Sequence, residues 1–112
     1  MRSYKLYLED ILKSIQKVEK YTRDLTLEKS RKNDFAVDAV VRNLEIVGEA
    51  AKNIPPVIRK KSSEIDWQRV CGMRDILIHA YFGVDVEIVW DIIENKLPDL
   101  KKKITRLLSE IQ

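Results

Sequence analysis

The stretch "DFAVDAVVRNLEIVGEAAKN" (34–53) decides the fold class. Val37, Val41, Leu44, Gly48 and Ala51 recur at spacings of four and three, and Ala36, Val40 and Val47 widen their stripe. That period gives a helix with one apolar face. Asp34, Asp38, Arg42, Glu45, Glu49 and Lys52 line the other face at similar spacings, where opposite charges can pair. Gly48 inside a helix costs ~1 kcal/mol relative to Ala. With Ala50 and Ala51 beside it, close approach of a neighbouring helix is the expected compensation.

The same period appears on both sides of this helix. Upstream, Tyr4, Leu8, Ile11, Ile15 and Val18 form one stripe, followed by "TRDLTLEKSRKND" (22–34), which reads as a polar connection. Downstream, "IPPVIRKKSSE" (54–64) ends the helix, and a short helical turn can start at Pro56. Asp66 reads as an N-cap, with Ile65 and Val70 placed as a hydrophobic staple. That helix is expected to run through Val70, Met73, Leu77 and Ala80 to a terminator at Gly83. Asp85 can cap the next helix, with Val86, Val89, Trp90 and Ile93 inward. Pro98 opens the last one, striped by Leu100, Ile104, Leu107, Leu108 and Ile111.

No segment alternates in the manner of a strand. The expectation is an all-α antiparallel bundle of four main helices plus a short extra helix, in one domain over residues 1–112. Apolar residues make up 45% and charged residues 35%, which excludes a disordered chain. No run approaches the ~18 apolar residues of a membrane span. "MRSYKLYLEDILKS" (1–14) lacks a signal peptide's apolar core, and the single cysteine, Cys71, allows no intrachain disulfide. A cytoplasmic protein is expected. The net charge of +3, with Arg59-Lys60-Lys61 and Lys101-Lys102-Lys103, suits a polyanionic partner without establishing one. The C-terminal lysines alone would support only a weak membrane-surface reading.

The chemistry concentrates in "RDILIHAYFG" (74–83), which holds the only histidine. A lone helical histidine is more often a packing residue than a catalyst, but its neighbours change the balance. His79 titrates near neutrality, at ~6.5 when unperturbed. Arg74 is permanently cationic and forks toward phosphate oxygens. Asp75 precedes His79 by four residues, on the same helix face, where it can orient the ring. Arg74 and His79 themselves are ~140° apart around a helix, so they do not project side by side. A two-fold dimer packing this helix against its copy would complete the site. It would also supply two histidines, one as base and one as acid, for cleavage of a phosphodiester through a 2′-hydroxyl.

Other constellations are missing. One His and one Cys cannot form a structural zinc site, and there is no glycine-rich phosphate loop. The acids of the central helix are interleaved with Arg42 and Lys52, which favours an ion-paired face over a Mg²⁺ site. By spacing alone, Tyr81 reads as core or interface. Arg42 and Asn43 read as scaffold, Cys71 and Met73 as packing, and Trp67 and Trp90 as bundle anchors, although an exposed aromatic could stack on a base.

Around these residues the sequence resembles the HEPN superfamily, specifically the HepT-like ribonuclease toxins of toxin–antitoxin pairs. The signature R-x4-H-x-Y reads here as Arg74-Asp75-Ile-Leu-Ile-His79-Ala80-Tyr81, with no departure. "RNLEIVGEAAKNIP" (42–55), "DWQRVCGMRD" (66–75) and "HAYFGVDVEIVWDII" (79–93) extend the resemblance over nearly the whole chain. It implies a helical homodimer with the motif helices at a cleft on the two-fold, acting as a metal-independent endoribonuclease without cofactor. Carried over, Arg74 would stabilise phosphate charge, His79 would be the general acid/base, and Asp75 would fill the polar position. The implied partner is an MNT-type nucleotidyltransferase antitoxin, and Tyr81 would be the tyrosine it adenylylates. Phosphate and adenosine added there would compete with RNA for Arg74. The alternative is a non-catalytic helical partner, or nucleotide-binding subunit, of such a nucleotidyltransferase. A docking module would not need both Arg74 and His79.

Overall fold

The computed structural model describes residues 3–75, 77 and 85–111. Every regular element among them is helical, so the expected all-α class holds. Helix α1 spans Tyr4–Thr22, with the Ser3 hydroxyl accepting from the Lys5 amide at its start. Of its expected stripe, Leu8, Ile11, Ile15 and Val18 are fully buried, whereas Tyr4 in the first turn is exposed. Helix α3, Asp34–Lys52, is capped by Asn33, whose side chain accepts from the Ala36 amide. Val37, Val40, Val41, Leu44, Val47 and Ala51 are buried on its inner face.

Helices α1 and α3 pack along one another, and α1 also packs against the last helix, α7, Leu97–Glu110. Helices α1 and α3 run antiparallel, because Tyr7 and Asp10 near the start of α1 share a groove with Glu49 and Asn53 at the end of α3. From α7, Leu100, Ile104, Leu107 and Leu108 close the core. The return is less irregular than its polar sequence implies. It contains a single-turn helix α2, Leu27–Ser30, capped by Thr26. Ser30 is buried there and donates to the Leu27 carbonyl at 2.6 Å, which offsets the cost of enclosing its hydroxyl.

After α3, Pro56 opens the single-turn helix α4, Pro56–Arg59, which tightens into a 3-10 turn over Lys60–Ser62. Helix α5, Trp67–Cys71, begins at the expected cap, where Asp66 accepts from the Arg69 amide. It does not run on unbroken. Gly72 caps it, with φ −78° and ψ −4°, and the backbone is helical again at 73–75 and 77. The Val70, Met73 and Leu77 stripe is buried even so.

Asp85 caps helix α6, Val86–Asp91, as expected. The chain then passes through a π-helical stretch, Ile92–Lys96, straight into α7 instead of starting afresh at Pro98. The Leu97 amide donates back to the Ile92 carbonyl across this wide turn. In a plain α-helix, positions five apart face ~140° away from each other. The wide turn lets both Ile92 and Leu97 reach the core, at 8% and 2% exposure. Ile92 thereby takes the inward place expected for Ile93, which is only partly buried.

Candidate active site

Gly48 sets the geometry of the site. A β-carbon there would lie 3.3 Å from the Val70 carbonyl oxygen and 3.4 Å from the Arg74 amide nitrogen. The missing side chain therefore lets the backbone at the start of the motif lie directly on α3. This is the close approach its sequence context implies.

Glu49, the next residue, meets the Arg74 side chain. Arg74 Nη1 donates to Glu49 Oε1 at 2.8 Å, and both side chains are about half exposed. Lys52 Nζ lies 3.6 Å from the same carboxylate oxygen. The hydrogen bond from Arg74 is the main influence holding the Glu49 carboxyl below its ordinary value of 4.5. Partial desolvation opposes it, and the charge of Lys52 assists. Glu49 is thus an ionised partner under ordinary conditions.

Arg74 lies at the edge of an open groove of about 450 Å³ between α1 and α3. Tyr7 and Asp10 line it from α1, and Arg42, Glu45 and Glu49 from α3. The walls carry both signs of charge, so the groove offers donors and acceptors together. A guanidinium has five N–H donors, and the bond to Glu49 uses one Nη. A guanidinium's planar fork matches the geometry of phosphate oxygens.

The structure thus brings Arg74 of the motif to a polar groove. Asp75 is exposed, and its amide donates to the Gly72 carbonyl at 3.1 Å. His79 and Tyr81 lie outside the described residues. Asn43 is buried and donates to the Ala39 carbonyl of its own helix, which fits the scaffold reading. Trp67 and Trp90 are both buried, as anchors should be. Cys71 is only partly buried, and Arg59 Nη2 lies 3.5 Å from its sulfur. Among the described residues, no three His, Cys, Asp or Glu side chains gather to hold a metal ion. No helix among them is long and apolar enough to cross a membrane.

Glu49 is the site residue that the sequence pattern conceals. Its spacing from Lys52 suggested pairing within the helix, yet its shorter bond goes to Arg74, 25 positions along the chain. Gly48 was the one available signal, because a helix that admits a neighbour's backbone also presents the next side chain to it.

Comparison with known proteins gives the family. The family model described as "Ribonuclease HepT-like" matches residues 11–107. A protein of Thermococcus cleftensis named "Probable ribonuclease HepT" is 46% identical over 95% of this chain and 96% of its own. A Methanocaldococcus jannaschii protein named "Gamma-glutamylcyclotransferase and putative RNase" is 42% identical over 98% of this chain, which spans 50% of that longer protein. A "Putative RNase" of Caldanaerobacter subterraneus subsp. tengcongensis is 38% identical over 98% of both chains. No solved structure gives a significant match. The matched span contains α3 and the motif, and the chain belongs to the ribonuclease HepT-like family.

Proposed function

We propose that this chain is a metal-independent endoribonuclease, the toxin of a toxin–antitoxin pair, folded as a single domain over residues 1–112 and acting in the cytoplasm. The observation that carries the reading is the Arg74 guanidinium, presented at a polar groove in a member of a ribonuclease-like family. Arg74 binds the scissile phosphate and stabilises the charge that grows on its oxygens as the phosphorus becomes five-coordinate. One His79 accepts the proton of the adjacent 2′-hydroxyl as its oxygen attacks phosphorus. A second, from the other subunit of a homodimer, protonates the departing 5′-oxygen. The products are a 2′,3′-cyclic phosphate and a 5′-hydroxyl. Asp75 orients the imidazole and favours its charged form.

The partner in this reading is an MNT-type nucleotidyltransferase antitoxin. It transfers AMP from ATP to the Tyr81 hydroxyl and releases pyrophosphate. The added phosphate and adenosine occupy the Arg74 cleft and exclude RNA.

Purified protein, confirmed free of AMP on Tyr81 by mass spectrometry, is incubated with RNA in EDTA and the new ends are mapped. The expected products carry 2′,3′-cyclic phosphate and 5′-hydroxyl ends. Products with 3′-hydroxyl ends contradict the mechanism. Intact RNA contradicts the activity and favours a non-catalytic partner of the nucleotidyltransferase.

A further inference from the structure

We propose that Glu49 is a positioning residue for Arg74, holding the guanidinium at the groove edge before RNA arrives and releasing it to the scissile phosphate. The inference rests on the ribonuclease reading and names a component that the motif lacks. Three observations carry it. The Nη1–Oε1 distance of 2.8 Å is that of a charge-assisted hydrogen bond, so Arg74 has a defined direction. Gly48 fixes the Arg74 backbone against α3, and Glu49 therefore acts from a rigid platform. Both partners are about half exposed, and a pair so wetted contributes little net stability, so substrate can displace it readily.

Release also leaves no orphaned charge. Lys52 Nζ, 3.6 Å from the same carboxylate oxygen, remains as counter-ion once Arg74 turns to phosphate. The Asn53 side chain donates to the Glu49 carbonyl at 2.9 Å, which ties down the end of α3 where the pair sits. A long arginine side chain otherwise samples many rotamers. Glu49 restricts those rotamers in advance, as preorganised catalysis requires.

The test compares wild type, Glu49→Ala and Glu49→Gln on a short RNA oligonucleotide in EDTA, with thermal melts to confirm folding. Glu49→Ala is expected to lower kcat by roughly 10- to 100-fold while KM changes by less than about threefold, since orientation, not affinity, is lost. Glu49→Gln keeps an amide oxygen that can accept from Nη1, and kcat is expected to stay within about threefold of wild type. A purely structural role would lower the melting temperature without this split and without rescue by Gln. A folded Glu49→Ala variant with wild-type kcat overturns the proposal.

A readout independent of cleavage separates this inference from the ribonuclease reading. In ¹⁵N spectra of the full chain, the Arg74 side-chain signal is assigned by its loss in Arg74→Lys. It is expected to be dispersed in wild type and Glu49→Gln and averaged in Glu49→Ala. Identical signals in all three overturn the positioning role even if RNA is cut. Dispersed signals with uncut RNA overturn the catalytic use of the pair and, separately, the ribonuclease reading.

Discussion

Gly48 and Arg74 meet backbone to backbone: a β-carbon on Gly48 would stand 3.4 Å from the Arg74 amide nitrogen. A valine at position 48 would push the start of the motif off α3 and carry Arg74 away from Glu49. Gly48→Val is therefore expected to destabilise the protein by about 1–3 kcal/mol, read from urea unfolding, and to abolish activity. Gly48→Ala should stay within about 1 kcal/mol of wild type, because better helix propensity offsets a contact only slightly too close. A Gly48→Val variant as stable as wild type contradicts this packing.

Arg59 clamps the C-terminal end of the same helix. Its Nε donates to the Ile54 carbonyl and its Nη2 to the Ala51 carbonyl, each at 2.9 Å. Its guanidinium lies 5.7 Å from the centre of the Trp67 ring, and the Trp67 indole donates to the Ser62 carbonyl at 3.1 Å. Arg59→Ala removes its donor from the Ile54 carbonyl, while the Ala51 carbonyl keeps the Ile54 amide at 3.2 Å, and the loss is expected to cost about 1–2 kcal/mol. At about 4 °C per kcal/mol, the loss is readable in a thermal melt. Arg59→Lys should recover little, because an ammonium cannot fork or stack as a guanidinium does.

The local features of this fold were legible because their causes are local. The α3 stripe, the Asp66 and Asp85 caps and the Pro56 turn depend on residues within one helical turn of each other. The break at Gly72 was not, since Val70, Met73 and Leu77 keep helical spacing whether or not the turn between them tightens. The wide turn at Ile92–Lys96 was hidden too, because Val86, Val89, Trp90 and Ile93 satisfy an ordinary helical period. Only packing against the core selects Ile92 and Leu97 together. At the groove, the motif made Arg74 a candidate, whereas its partner Glu49 lies far from it in sequence with Lys52 as a decoy nearby.

Acid should weaken the molecule slightly through Glu49, since a half-exposed pair contributes little to stability. Its folded-state pKa lies below 4.5, chiefly through the Arg74 hydrogen bond. The stabilisation is therefore complete above the unfolded value and is lost as pH falls through the folded one. Glu64 acts in the same direction, mainly through a hydrogen bond from its own backbone. Melting temperatures measured from about pH 5 down to about pH 3 should fall slightly more steeply for wild type than for Glu49→Gln. Parallel curves would show that the pair contributes nothing to stability.

The division of labour between two histidines can be tested with mixed dimers. A purified dimer of one wild-type and one His79→Ala chain lacks either the base or the acid. Its activity is expected to fall by roughly 10²-fold or more. Half of wild-type activity would mean that each chain carries a self-sufficient site.

The most direct test is RNA cleavage in EDTA by wild type, Arg74→Ala and His79→Ala, each shown by circular dichroism and thermal melting to be folded. Wild type should cut, and each variant should lose roughly 10²-fold or more of that activity. Equal cleavage by all three proteins would contradict the account, because the activity would then belong to another site or to a contaminant.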